Sequence, residues 1–237
     1  MTILIQGAMK EEIDYLIDFY KAAKNVTIAG YEFYLAQYKG HKIVISLTDI
    51  GIINSTTATA IAIMNFSPDL VINEGCAGSH ILDGQVGDIV IGESSVYINN
   101  FVTKTKGKDE GSNSLDWTQN LKRSYSVSST PKYVNLAKTI KTSYNLIVGK
   151  LGSGDLFSRE YDRILYLHNL FGELCEDMES IASLKVCESF SIDKIAFRII
   201  SNNELISAKF DRSVCKHLQI FVVDFIEEVI NSVNTGS

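Results

Sequence analysis

Four places in this 237-residue chain carry residue types that could do chemistry. Lys10-Glu11-Glu12 follows a short apolar run ending at Gly7, so two carboxylates stand where a strand hands over to a helix. The positive end of a helix dipole favours an ionised carboxylate there and keeps it available as a general base. The same acids also read as ordinary dipole compensation on an exposed first turn. Glu74-Gly75-Cys76-Ala77-Gly78 closes a second apolar run. Its small residues would let a ligand approach the backbone, or would serve a turn that needs glycine. Met178-Glu179 ends the acid-rich stretch Gly172 to Asp177, from which one carboxylate could accept hydrogen bonds from sugar hydroxyls. Read blandly, that stretch is a solvated face. Arg198 lies inside the apolar run Ile195 to Ile200, where burial is costly unless a carboxylate or a ligand pairs with it. A structural ion pair and an active-site arginine both satisfy that requirement.

The elements that must position these groups follow from hydrophobic period. Ile3 to Ile5 reads as a buried strand leading into a helix with Ile13, Leu16, Ile17 and Tyr20 on one face. Tyr31 to Tyr38 and Lys42 to Leu47 read as an antiparallel hairpin turning at Gly40. Asn54 is placed to cap a helix running to Phe66, stopped by Ser67-Pro68 before the strand Leu70 to Asn73. Val86 to Ile91 reads as a strand, and the polar, aperiodic stretch Thr103 to Asn120 as a long surface loop. A helix from Pro131 to about Thr142, a strand from Leu146 to Leu151, and a helix through Ile164 to Leu170 continue the alternation. A helix opening near Glu179, a strand from Lys194 to Ile200, and an amphipathic helix from Asp211 to Val233 close the chain. Alternating strands and helices imply a three-layer α/β fold with a mixed central sheet, its ligand site where loops leave the carboxyl ends of the strands.

Length and composition fit one domain over residues 1–237, with 46% hydrophobic residues to fill its core. A net charge of −6 without a basic cluster argues against nucleic acid and for a small-molecule partner. No secretory signal or membrane-length apolar run is visible, so a cytoplasmic setting is expected. Cys76, Cys175, Cys187 and Cys215 are scattered, as are the four histidines, which gives no metal-site spacing and an expectation of reduced thiols.

Taken in order, Gly7-Ala8-Met9-Lys10-Glu11-Glu12, Ile50-Gly51, Asn73 to Gly78, Val86 to Val90, Ser153 to Phe157, Met178 to Ala182, Arg198 to Ser201 and Phe210-Asp211 resemble the 5′-methylthioadenosine/S-adenosylhomocysteine nucleosidases of the nucleoside phosphorylase superfamily. The resemblance spans nearly the whole chain. It implies a Rossmann-like nucleoside phosphorylase fold, a homodimer, and hydrolysis of an adenine nucleoside to adenine and a thioribose, without metal or cofactor. It also implies roles: Glu12 activates the attacking water and Arg198 helps to hold it, while Glu179 binds the ribose 2′-hydroxyl. Met9 and Met178 contact the sugar, Phe157 stacks on the purine, and backbone groups of Ser158 read the base edge. Cys76, Ala77 and Gly78 border the base, and Ile50 and Phe210 line the pocket of the 5′-substituent.

Two departures from the family pattern carry consequences. Asn202 stands where the family places the aspartate that protonates the leaving purine, and an amide cannot supply that proton. Loss of a general acid typically costs about 10²–10⁴-fold in rate. The amide can still donate one hydrogen bond and accept another, which supports a departing base weakly or favours a 6-oxopurine. Cys76 replaces a usual serine. Asn202 thus also motivates a binding homologue with impaired turnover, or a phosphorylase with altered base preference. A carboxylate at Glu12 repels phosphate dianion and suits water, which places the phosphorylase last.

Overall fold

The computed structural model describes residues 1–22, 24–120 and 125–235. Strands are β1 (Thr2–Gly7), β2 (Lys24–Ile28), β3 (Tyr31–Tyr38), β4 (His41–Leu47), β5 (Leu70–Ser79), β6 (Ile89–Tyr97), β7 (Phe101–Val102), β8 (Thr118–Gln119), β9 (Ser126–Ser128), β10 (Leu146–Ser153), β11 (Glu173–Asp177) and β12 (Asp193–Asn202). Helices are α1 (Asp14–Tyr20), α2 (Ile52–Phe66), α3 (Pro131–Ala137), α4 (Tyr161–Phe171), α5 (Ser180–Ser189) and α6 (Cys215–Thr235).

The main sheet runs β11-β10-β6-β12-β5-β1-β4-β3-β2, with β9 added to β6. β1 pairs in parallel with β4 and β5, and β5 with β12, whereas β12 meets β6 antiparallel, so the sheet is mixed as expected. At one end it folds back: β11, parallel to β10, also pairs antiparallel with β5. Successive side chains of a strand point to opposite faces. Ile3 and Ile5 therefore join the large cluster under α1 and α6, while Leu4 between them joins the cluster under α2. Ile43, Val44 and Ile45 split the same way. An alternation with both phases apolar is what a sheet covered on both faces requires.

Helix α6 closes one face through Leu218, Phe221, Val222, Phe225, Ile226 and Val229, a three–four spacing that makes one apolar stripe. Phe221 and Phe225 meet Phe197 of β12 edge-on at centroid distances of 5.3 and 5.0 Å. Each fully buried phenylalanine is worth about 1.5–3 kcal/mol of transfer free energy, so this stripe pins β12 and the residues at its end.

Several boundaries differ from the sequence reading. Asn54 is not a cap: α2 begins at Ile52, and the Asn54 amide donates back to the Ile50 carbonyl. The strand expected at Val86 starts at Ile89, because Gln85 to Asp88 form a turn in which Asp88 accepts the Gln85 N–H. Helix α3 stops at Ala137, short of Thr142. Strands β2 and β9 were missed, being short and half-exposed. The stretch Gly172 to Asp177 is no solvated face: it contains β11, with Glu173, Glu176 and Asp177 buried. The loop Thr103 to Asn120 is anchored at its end, where Arg163 donates to the Ser114 carbonyl and lies 4.5 Å from the Phe101 ring and 5.4 Å from Trp117.

Candidate active site

Strand β1 delivers Gly7, the chain turns, and the short 3-10 turn Lys10–Glu12 points the Glu12 side chain back under the end of β5. One carboxylate oxygen accepts the backbone N–H groups of Ala8 (2.8 Å) and Met9 (3.0 Å), and the other that of Cys76 (2.9 Å). Gly75 makes the approach possible: a Cβ there would lie 2.8 Å from the carboxylate. Burial pushes the Glu12 pKa up, while the N–H groups and nearby Arg198 pull it back. A carboxylate fixed by three donors and more basic than a surface acid suits proton abstraction from water. The helix-dipole reading fails for Glu12, which is 3% exposed, and holds for Glu11, which meets Arg212 at the surface.

Glu179 sits at the mouth of α5. Its carboxylate accepts the Gly51 N–H at 2.9 Å, and burial together with the Asp177 charge raises its pKa to about 7. Asp177 organises the turn beside it. Its Oδ1 accepts from Ser153 Oγ (2.6 Å) and from the N–H groups of Glu179 and Ser180 (2.9 Å each), while its Oδ2 lies 3.0 Å from Arg198 Nε.

Arg198 is 1% exposed and does not border the cleft. Besides its ion pair with Asp177 it donates hydrogen bonds to Asn73 Oδ1 (2.6 Å) and to the Phe197 carbonyl (2.7 Å). The Asp177 pair is the structural ion-pair alternative that the sequence left open, and the same guanidinium lies near enough to Glu12 to act on its charge.

One cleft collects the rest: Glu12, Glu179, Asn202, Met9, Met178, Ile50, Cys76, Ala77, Gly78, Phe157 and Phe210 all border it. Ile50, Phe157 and Phe210 are 51%, 52% and 45% exposed, an apolar rim at its mouth. Ser158 is not on the cleft wall. Its N–H and hydroxyl both donate to Glu176, each at 3.1 Å, so the N–H expected to read a base edge is engaged within the protein.

Ala8, Asp177 and Ser201, which fell inside the candidate strand-end segments without a role, and Glu176, which did not, also border the cleft. Glu74, singled out with its glycine-rich segment but given no role, is buried; its two carboxylate oxygens have no described hydrogen-bond partner, and burial and Glu12 push its pKa well up. The β-branched and apolar context of Leu70 to Asn73 was the available signal: it continues as a buried strand straight through Glu74.

Cys76 and Cys215 form a disulfide, which corrects the expectation of four reduced thiols. The start of α6 packs over the end of β5 and brings two distant cysteines together. Glu12 and the two sulfurs lie within 4.8 Å of one another. Bonded to each other the sulfurs offer no thiolate, and only reduction would make a soft donor set for a metal there. Cys175 and Cys187 are free and buried.

The family model of the phosphorylase superfamily matches residues 2–230. The 5′-methylthioadenosine/S-adenosylhomocysteine nucleosidase of a Geobacillus strain is 31% identical over 205 residues, 85% of each chain. This chain belongs to the phosphorylase superfamily, in its nucleosidase branch. Nucleosidases of that branch are N-glycosyl hydrolases. The Shewanella piezotolerans enzyme of the same name is 28% identical over 97% of this chain and all of its own. Among solved structures, the Neisseria meningitidis nucleosidase in complex with methylthio-immucillin-A superposes with a TM-score of 0.80 at 24% identity, covering 96% of this chain and 99% of that one. A futalosine hydrolase mutant of Helicobacter pylori superposes at 0.84 with 23% identity, over 96% and 99%. At these identities the likeness establishes the fold, and this nucleosidase-family chain has the expected mixed sheet between helical layers. Among the described residues, no helix is long and apolar enough to cross a membrane.

Proposed function

We propose that this chain, acting as one unit, hydrolyses the N-glycosidic bond of purine ribonucleosides bearing a 5′-thioether, the class to which methylthioadenosine and S-adenosylhomocysteine belong. The observation that carries the reading is the Glu12 carboxylate, held by three backbone N–H groups on the wall of the cleft that Glu179 also borders. Water attacks C1′ and gives a proton to Glu12. The C1′–N9 bond breaks, its electron pair leaves with the base, and the proton passes to that base, so a free purine and a thioribose result. Glu179, ionised, accepts from a ribose hydroxyl and stabilises the positive charge that grows on the sugar. Asn202 supports the departing base through its amide. The apolar rim of Ile50 and Phe210 suits a thioether better than a phosphate or a free hydroxyl.

Among the described residues bordering the cleft there is no lysine or arginine, which favours water over phosphate as nucleophile. The alternative reading, a nucleoside-binding homologue with little turnover, is favoured by Asn202 alone. Incubation with methylthioadenosine and with methylthioinosine in phosphate-free buffer, with free base and reducing sugar measured over time, separates the two. Base release abolished in Glu12→Ala supports hydrolysis; stoichiometric binding without release supports the binding homologue.

A homodimer belongs to the same proposal. Ile53 and Met64 of α2 are 76% and 66% exposed, and Ile52, Ile181 and Val186 line an apolar groove between α2 and α5. Light scattering at the mass of two chains is the expected result.

A further inference from the structure

The base end of the cleft is built on Gly78. In the sheet Gly78 of β5 pairs with Glu176 of β11 on one side and with Asn202 of β12 on the other. Residues opposite each other in register project to the same face, and neighbouring strands lie about 4.8 Å apart. Two polar side chains therefore flank a bare glycine, at a backbone separation of about 10 Å that admits the width of a purine. A Cβ on Gly78 would stand 3.3 Å from Asn202 Nδ2, so the glycine is what keeps the slot open. Phe157 borders the same cleft and offers a ring for stacking.

The polarity of the two walls is fixed from behind. Glu176 accepts the Ser158 N–H and hydroxyl and the Nε2–H of His80 at 3.1 Å, and His80 turns its other nitrogen to Glu173 at 2.8 Å. Flanked by two carboxylates, His80 has its pKa raised to about 9 and is a cation at neutral pH, so both of its ring nitrogens carry a proton to donate, one of them towards Glu176. A carboxylate has about four lone-pair sites, so acceptor capacity remains towards the cleft. Across the slot, Asn202 Oδ1 lies 3.1 Å from Ser201 Oγ and Nδ2 3.5 Å from Glu204 Oε1, an orientation in which the amide nitrogen is the atom nearest the position above Gly78.

A 6-aminopurine presents a lone pair at N1, which a carboxylate repels. A 6-oxopurine presents N1–H, and its O6 and N7 accept. We propose that Glu176 and Asn202 select a 6-oxopurine, Glu176 accepting N1–H and the Asn202 amide donating to O6 and N7. This rests on the nucleosidase reading of the cleft and names its base. The lack of an acid at Asn202 then becomes intelligible. A 6-oxopurine leaves with its negative charge spread onto O6, where a neutral amide N–H can receive it. A site that hydrogen-bonds one edge pattern discriminates strongly against the other, because mismatched buried groups go unpaired.

The test compares 5′-methylthioinosine with 5′-methylthioadenosine by kcat/KM, and hypoxanthine with adenine by calorimetric binding, in the wild type, Glu176→Gln and Asn202→Asp. The wild type is expected to prefer the oxo compound by about 10²-fold. Glu176→Gln, whose amide can donate to N1, and Asn202→Asp, which accepts from the 6-amino group, should each narrow that ratio at least tenfold, with circular dichroism showing the fold intact. Preference for the amino compounds in the wild type, or a ratio that neither substitution moves, overturns the proposal. If neither nucleoside is cleaved the nucleosidase reading fails, yet the base preference is still decided by the binding arm.

Discussion

Asp177 uses one carboxylate oxygen to pair with Arg198 Nε at 3.0 Å and the other to accept the first N–H groups of α5, so a single side chain ties a buried cation to the turn that carries Glu179. Arg198 in turn holds Asn73, one residue before Glu74. The arginine thus acts on the cleft through its neighbours.

Removing one partner of such a pair leaves the other charge buried, which costs about 3–5 kcal/mol. Arg198→Met and Asp177→Asn should each lower the unfolding free energy from urea titration by that much, and the double variant should lose less than the sum. Additive losses in a double-mutant cycle would show that the two side chains are not coupled.

Glu179 sets a pH limb. Its carboxyl, raised by burial from the ordinary value of 4.5 to about 7, must be ionised to accept from a ribose hydroxyl. Activity should therefore rise as pH increases through about 7, and Glu179→Gln should lose both rate and this limb. The stability sign is opposite. A folded pKa above the unfolded one gives stability that is complete below about 4.5 and lost as pH rises through 7, so urea titrations at pH 5 and 8 should show Glu179→Gln gaining relative to wild type at the higher pH.

His80 behaves as the paired cation it is. Its folded pKa of about 9 lies above the ordinary value of 6.5, so its contribution is complete below 6.5 and lost as pH rises through 9. His80→Gln should remove that loss from a stability-versus-pH curve and should loosen Ser158 through Glu176. An unchanged curve above pH 7 would refute the role.

The Cys76–Cys215 bond joins positions 139 residues apart. Closing so long a loop restricts the unfolded chain by up to about 5 kcal/mol in the chain-entropy account. Cys215→Ala should lower the urea midpoint under non-reducing conditions and match the wild type after treatment with a dithiol. Equal midpoints without the dithiol would mean that the bond does not form in solution.

Local chemistry made a good part of this protein legible in its sequence. The alternation of apolar runs specifies strands and helices because side chains repeat every two or every 3.6 residues. Glu12, Gly75, Gly78 and Glu179 could be singled out because strand ends and helix starts are where an α/β sheet exposes its backbone donors. The solvated-face alternative for the acid run of β11 fails for a related reason: charge at adjacent positions signals solvent unless partners are known, and the partners of Glu176 and Asp177 lie on β10 and β12 or in the loops beyond β5 and β10.

Which groups meet across the sheet was decided only by tertiary structure. Arg198 paired with Asp177, the Ser158 N–H turned to Glu176, and two scattered cysteines closed beside Glu12. Strand order and register bring these residues together, and both are set by the packing of whole layers. A buried charge or donor then takes whichever partner the layers place within reach, because leaving it unpaired in the interior costs more than any local preference can return.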